Sequence, residues 1–286
     1  MNKPVIAVSG KNGQLGWELQ KLSINFPQFE FVFCDRSELD ITSNEQVASF
    51  FKQNHPKYFI NTAAYTAVDK AESDQENAFK TNAEAVGNLA VHCKEIDATL
   101  LTFSTDYVFN GNGTAPYHED DTTQPVNYYG YTKQAGEQLA LENWDKTIVI
   151  RTSWVYSAHG HNFVKTMLRL MKERTDLNVV DDQVGSPTYA RDLAEAVMQI
   201  IEQGADKFGI YHYSNEGVIS WFDFAAAIAE MSGSACNIHP IPATQFPTPA
   251  KRPKYSVLNK SRIKSNYQVA INNWRSSLQQ CLGEIL

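Results

Sequence analysis

Tyr129 and Lys133 stand four residues apart, a spacing that puts both on one face of a helix. A lysine ammonium there can lower a tyrosine pKa and hold a nicotinamide ribose. The phenol can then pass a proton to or from a carbonyl or an alcohol. Upstream lies Phe103-Ser104-Thr105-Asp106-Tyr107-Val108-Phe109. Ser104 and Thr105 place hydroxyls within reach of a substrate carbonyl; the plainer reading is a strand-end turn whose hydroxyls bond the backbone. In a chain with 13 tyrosines the bare Tyr/Lys spacing carries little. Its position carries more, on the helix after the fourth strand of a nucleotide-binding pattern. Thr105, Tyr129 and Lys133 together describe a carbonyl-reducing site.

A second group of residues suits a dinucleotide. Ser9-Gly10-Lys11-Asn12-Gly13-Gln14-Leu15-Gly16 has the spacing G-x-x-G-x-x-G after a first strand and opens a helix. Glycines let the chain turn sharply and let a pyrophosphate approach the backbone, and the helix start offers free N–H groups. About 20 residues on, where a ribose selector belongs, the sequence reads Cys34-Asp35-Arg36-Ser37. Asp35 suits the ribose hydroxyls of NADH; Arg36 and Ser37 suit the 2′-phosphate of NADPH. Both cofactors stay open, with the lean toward NADPH.

These groups need a frame. Apolar runs at Val5–Val8, Glu30–Phe33, Tyr58–Ile60, Thr99–Phe103 and Thr147–Ile150 read as strands. Helical patterns at Gln14–Leu22, Asn44–Gln53, Glu76–His92 and Tyr128–Glu142 lie between them, with Ser43 as an N-cap. The alternation predicts an α/β fold, a Rossmann-like doubly wound parallel sheet. Helices at Phe163–Glu173, Arg191–Glu202 and Trp221–Met231, and a strand at Ile210–Tyr213, follow. Five prolines between Pro240 and Pro253 predict an extended loop. The expected division is residues 1–155 as an NAD(P)-binding domain and 156–286 mainly as a smaller C-terminal substrate-binding lobe, with later segments free to return to the first.

Composition limits the remaining classes. The 286 residues are 43% hydrophobic and 20% charged, which is ordinary for a globular protein. The net charge is −7 and no basic run occurs, so neither nucleic acid nor a membrane surface is an expected partner. No apolar stretch approaches a membrane span and no export signal opens the chain. Cys34, Cys93, Cys236 and Cys281 are dispersed and form no C-x-x-C pair. They read as reduced, buried thiols of a cytoplasmic protein. His159-Gly160-His161, Asp120 and Asp121 read as solvated groups, and no metal is expected.

At this point the chain resembles the extended short-chain dehydrogenase/reductases, and within them the family of dTDP-4-dehydrorhamnose reductases. The glycine loop and Tyr129-Gly130-Tyr131-Thr132-Lys133 are shared widely. More specific are Ala67-Val68-Asp69-Lys70-Ala71-Glu72, Thr152-Ser153-Trp154-Val155-Tyr156 and Lys251-Arg252-Pro253. The resemblance covers nearly the whole chain. It implies hydride delivery from NADPH or NADH to C4 of a nucleotide-linked 4-keto-6-deoxyhexose. Tyr129 is then the proton donor, Lys133 its activator and ribose anchor, and Thr105 the ligand of the C4 oxygen. Cofactor contacts are implied at Gly10, Gly13, Gln14, Leu15, Gly16, Asp35, Arg36, Asp40, Ile41, Ala63, Ala64, Tyr65, Thr66 and Phe103. Sugar-nucleotide contacts are implied at Asp106, Tyr107, Trp154 and Arg252, the last through the diphosphate. Asn82 matches a structural asparagine.

Some members of that family dimerise through a metal held by acids. Glu18 matches one such position, while Arg191 stands where another acid would be, so a monomer or a metal-free homodimer is expected. Two other functions remain: reduction of a different 4-keto-6-deoxyhexose nucleotide, or service as a non-catalytic regulatory subunit of the methionine adenosyltransferase type. Loss of turnover on replacing Tyr129 by Phe separates catalysis from the second.

Overall fold

The computed structural model describes residues 3–286. The first half runs β1 (Val5–Ser9), α1 (Gln14–Leu22), β2 (Glu30–Cys34), α2 (Asn44–Asn54), β3 (Tyr58–Asn61), α3 (Val68–Ala71), α4 (Gln75–Phe79), α5 (Ala85–Glu95), β4 (Thr99–Thr105), α6 (Tyr128–Asn143) and β5 (Thr147–Thr152). The second half runs β6 (Val155–Tyr156), α7 (Phe163–Glu173), β7 (Asp176–Val180), β8 (Val184–Gly185), β9 (Thr188–Tyr189), α8 (Ala190–Glu202), β10 (Gly209–His212), β11 (Ile219–Ser220), α9 (Trp221–Ser232), β12 (Asn237–Ile241), α10 (Ser261–Tyr267) and α11 (Trp274–Ile285).

Six strands form one parallel sheet in the order β2-β1-β3-β4-β5-β10. Alternation along each strand fills both faces. Ile6 and Val8 of β1 face α1 and α8, meeting Leu15, Leu19, Leu193 and Val197. Ala7 between them faces the opposite layer, where Phe51, Val86 and Leu89 pack on Phe59 and Leu100. Helices on both faces explain why the central strands β1, β3, β4 and β5 are buried along almost their whole length. The strand order reverses between β1 and β3, so a crevice opens outside their carboxyl ends. The chain returns to this sheet after residue 155: α8 packs on α1, and β10 pairs with β5.

A second core unites α7, α9, α11 and β7 through Met167, Leu168, Leu177, Phe224, Ile228 and Leu278. Here β7 and β12 form a two-stranded parallel ribbon. The ribbon corrects the reading of Pro240–Pro253 as all loop, because Pro240 lies inside β12 opposite Val179. A two-stranded ribbon is all edge, and a strand edge needs no N–H from proline. Helices α10 and α11 were not foreseen.

The helix expected over Glu76–His92 begins at Gln75 and passes through a π-helical turn at Lys80–Glu84. Ser43 caps α2, its hydroxyl accepting from the Gln46 N–H. All four cysteines are free and buried. Burial pushes the Cys34 thiol up to about 11 and that of Cys281 to about 12. Among the described residues no helix is long and apolar enough to cross a membrane.

Candidate active site

The glycine loop sits at the crevice because its backbone is folded back on itself. Gly10 adopts φ +79°, and a Cβ there would lie 2.8 Å from the Ala63 nitrogen. A Cβ on Gly16 would lie 2.3 Å from the Gly10 carbonyl oxygen, so α1 can start this close only with glycine. The N–H groups of Gly10 and Lys11 donate to the Cys34 carbonyl at 2.9 and 3.1 Å, tying the loop to the end of β2. Gly13 occupies the N-cap of α1 and supplies no capping side chain. The start of α1 therefore keeps N–H groups for an anion.

A cleft of about 620 Å³ runs from this loop to α6. Gly10, Gly13, Gln14, Leu15, Arg36, Asp40, Ile41, Ala63, Ala64, Thr66, Phe103, Tyr129 and Lys133 line it. The glycine cradle, the uncapped helix start and the tyrosine–lysine end fit a dinucleotide along its length. Gly16, Asp35, Tyr65, Thr105, Asp106, Tyr107, Trp154 and Arg252 lie outside its wall.

Asp35 is engaged by its own turn. Its Oδ1 accepts from the Ser37 N–H at 2.9 Å and the Ser37 hydroxyl at 2.6 Å. These bonds, with Lys11 nearby, hold the carboxyl down to about 2. Arg36 reaches the cleft, its side chain 84% exposed and 3.4 Å from Asp40. That balance favours a 2′-phosphate over two ribose hydroxyls.

The loop after β3 is fixed by Asn82 in the π-helical turn. Its Oδ1 accepts from the Tyr65 N–H at 2.9 Å, and its Nδ2 donates to the Tyr65 carbonyl at 2.9 Å and to the Thr132 hydroxyl at 3.1 Å. One buried amide thus joins the cofactor side of the cleft to α6. The Tyr65 side chain turns away to Asp74, donating at 3.0 Å.

On α6, Asn127 caps the helix by accepting from the Gly130 N–H at 2.7 Å, and Tyr129 and Lys133 face the cleft one turn apart. Burial pushes the Tyr129 phenol well above its usual value, Asp106 adds to this, and a hydrogen bond with Thr105 opposes it. Burial pushes the Lys133 ammonium down to about 8, opposed by Glu137. The expected lowering of the phenol by Lys133 is not found: burial and Asp106 raise it, and Thr105 alone opposes them. The tyrosine accordingly holds its proton, as a proton donor must. Thr105 Oγ1 donates to Asp106 Oδ1 at 3.0 Å, and burial pushes the Asp106 carboxyl up to about 7.

Beyond Tyr129 the structure places the remaining sugar-side residues. Tyr107 meets the Tyr129 ring edge to face at 6.1 Å. Trp154 adopts φ +48° and stacks on Trp221, ring centroids 3.6 Å apart. Arg252 is not free: its Nη1 and Nη2 donate to the two Asp69 oxygens at 3.1 and 2.9 Å. Asp69 also accepts from the Ala250 N–H, and Asn127 donates to the Lys251 carbonyl at 2.8 Å. The proline-rich strap is thereby tied to α3 and to the start of α6.

One group behaves unlike its sequence reading. His159 is not solvated: it stacks on Trp17 at 4.3 Å and bonds the Asn12 carbonyl through Nε2 at 3.0 Å. His161 lines the cleft, and Gln14 accepts from Asn162 at 2.9 Å. The segment after β6 therefore clasps the glycine loop, a contact invisible without the fold. Asp120 and Asp121 are exposed, as read from the sequence, and Asp120 also pairs with Arg262 at the surface. Glu18 is fully buried with Lys21 at 3.7 Å, and Arg191 lies 3.7 Å from Glu284. Among the described residues no group of three or more His, Cys, Asp or Glu could hold a metal ion.

The comparisons cover the same span. The model of the family described as RmlD substrate binding domain matches residues 4–286. The dTDP-4-dehydrorhamnose reductase of Escherichia coli (strain K12) is 39% identical, over 98% of this chain and 97% of its own. A crystal structure of a dTDP-4-dehydrorhamnose reductase from Clostridium acetobutylicum superposes with a TM-score of 0.94 at 39% identity, covering 98% of each chain. One from Bacillus anthracis, in complex with NADP, gives 0.95 at 38% identity, over 99% of this chain and all of that one. Sequence and fold agree from end to end, and the chain belongs to the RmlD substrate binding domain family.

Proposed function

We propose that the chain reduces dTDP-4-dehydro-L-rhamnose at C4, with NADPH as cofactor, to give dTDP-L-rhamnose. The reading rests on one observation: full-length similarity to several dTDP-4-dehydrorhamnose reductases, with Tyr129 and Lys133 at one end of a dinucleotide-sized cleft. NADPH, when bound, supplies the hydride. The glycine loop and the start of α1 hold its pyrophosphate, Arg36 its 2′-phosphate and Lys133 its nicotinamide ribose. Thr105 orients the C4 oxygen toward Tyr129. The phenol gives its proton to that oxygen, and Lys133 favours the phenolate left behind. Trp154 and Tyr107 form the sugar-side wall. Arg252 takes the substrate diphosphate by exchanging Asp69 for phosphate oxygens.

The proposed catalytic unit is a monomer or a homodimer, with the nucleotide sugar as its small-molecule partner. We assign the reaction to the cytoplasm, a reading supported by the dispersed free thiols and the biosynthetic nucleotide-sugar substrate. The other 4-keto sugars and the regulatory-subunit role are not favoured, because the named relatives are reductases of this one substrate.

The test is NADPH and NADH oxidation with dTDP-4-dehydro-L-rhamnose formed in situ, with Tyr129→Phe alongside. The expected result is oxidation faster with NADPH, and a fall in kcat of about 10²–10⁴-fold in Tyr129→Phe with cofactor affinity retained. Tight cofactor binding without turnover of this sugar would overturn the reading.

A further inference from the structure

Glu137 is a buried carboxylate that proton and hydride transfer do not touch. It lies one turn past Lys133 on α6, so Tyr129, Lys133 and Glu137 recur at four-residue steps along one face. Lys133 is 6% exposed and Glu137 4%. Desolvation at that depth favours a neutral amine, and the facing carboxylate opposes it. A carboxylate so buried needs its own partner. Arg151 on β5 provides one, Nε donating to Oε1 at 2.9 Å and Nη2 to Oε2 at 2.7 Å.

Arg151 is itself immobilised. It is 3% exposed, Nη1 donates to the Glu119 carbonyl at 3.2 Å, and its guanidinium lies 5.2 Å from the Phe109 ring centre. The β4–β5 register sets it beside Ser104, which lines the cleft. Lys133, Glu137, Ser104 and Asn82 also wall a small internal gap below the cleft. The other charged or titratable groups around the cluster are Tyr129, Tyr107 and Asp106 toward the cleft. Behind Arg151 stand Glu119, His212 and Arg262. Burial and Arg151 push His212 down to about 3, so it stays neutral, and Glu119 lies 3.7 Å from Arg262.

We propose that Glu137, clamped by Arg151, is a positioning residue that keeps the Lys133 side chain an ammonium aimed into the cleft. This rests on the reading of Lys133 as ribose anchor and partner of Tyr129. Arg151 fixes Glu137 in place through two hydrogen bonds, the Glu137 charge one turn away supports the Lys133 ammonium against desolvation, and Lys133 serves the cofactor and the phenol.

The experiment measures kcat/KM for the keto sugar and, separately, the Kd for NADPH by fluorescence, from pH 6 to 10. The proteins are wild type, Glu137→Gln and Glu137→Asp. Removing the carboxylate disfavours the ammonium, so the alkaline limb of both profiles moves to lower pH by about one unit. At pH 9 NADPH binding weakens about tenfold relative to wild type, and at pH 6.5 the gap closes. Glu137→Asp recovers part of the shift. An equal loss at every pH with the limb unmoved would be a merely structural effect and overturns the proposal. Should Glu137→Gln fail to fold around an unpaired Arg151, Glu137→Gln/Arg151→Met removes both charges. Its limb must still move to lower pH, and an unmoved limb overturns the proposal. NADPH affinity is read without the sugar, so a wild type that binds NADPH but does not reduce this sugar sinks the reaction and leaves this inference testable.

Discussion

Asp106 shows what a single buried acid does in this site. It is 2% exposed, and burial raises its carboxyl to about 7. An acid whose folded pKa lies above its unfolded one binds more protons when folded, so it costs no stability below the unfolded pKa and progressively more as pH rises through the folded one. Asp106→Asn removes the charge and keeps the shape. Its Tm should exceed wild type at pH 8, with the gap closing toward pH 4; a constant gap, read by circular dichroism, would refute the burial argument. Arg36 supports a second prediction. Arg36→Ala should raise the Kd for NADPH about tenfold and leave that for NADH unchanged, because an exposed guanidinium on a phosphate contributes modestly. Equal losses for both cofactors would return the selector role to Asp35. These two residues were legible as a pair in the sequence. Their order of importance was not, because it depends on Ser37 tying up the Asp35 carboxylate.

At the level of elements, α6 is positioned by a near collision. A Cβ on Gly136 would lie 2.0 Å from the Asn82 carbonyl oxygen, so α6 rests directly on the π-helical turn. Gly136→Ala must push the two apart, costing about 1–3 kcal/mol. It should also displace the Tyr129–Lys133 face, so kcat should fall more than the Kd for NADPH rises. An unchanged kcat in a folded variant would show that α6 tolerates the shift. The βαβ succession was readable because each unit is local and strongly patterned. The π-helical turn was not, since it arises where Asn82 bonds the Tyr65 backbone 17 residues away and Thr132 50 residues away. The β7–β12 ribbon was missed for a similar reason: its strands pair Asp176 with Asn237, and proline content masked one of them.

For the molecule as a whole, the two halves share one sheet. α8 covers α1 and β10 covers the β5 edge, both supplied from beyond residue 155. A fragment ending at residue 155 would expose the apolar α1 face and leave β5 unpaired. It should be recovered as aggregate, whereas the full chain should melt in one calorimetric transition. A soluble, cooperatively folded fragment would show that the first half stands alone. The division near residue 155 was drawn from a change in patterning, and sequence gives no sign of which later segments cross back.

The buried thiols give the molecule a built-in gauge of its own opening. Cys34 lies at the end of β2, where its carbonyl anchors the glycine loop; Cys93 lies on α5 and Cys281 on α11 in the second core. Raised thiol pKa values and burial protect all three from alkylation while the fold is intact. Labelling by iodoacetamide therefore counts excursions in which each region comes apart. Saturating NADPH should slow modification of Cys34 more than that of Cys281, and site-resolved mass spectrometry would read cofactor tightening region by region, with no reporter group added to the chain.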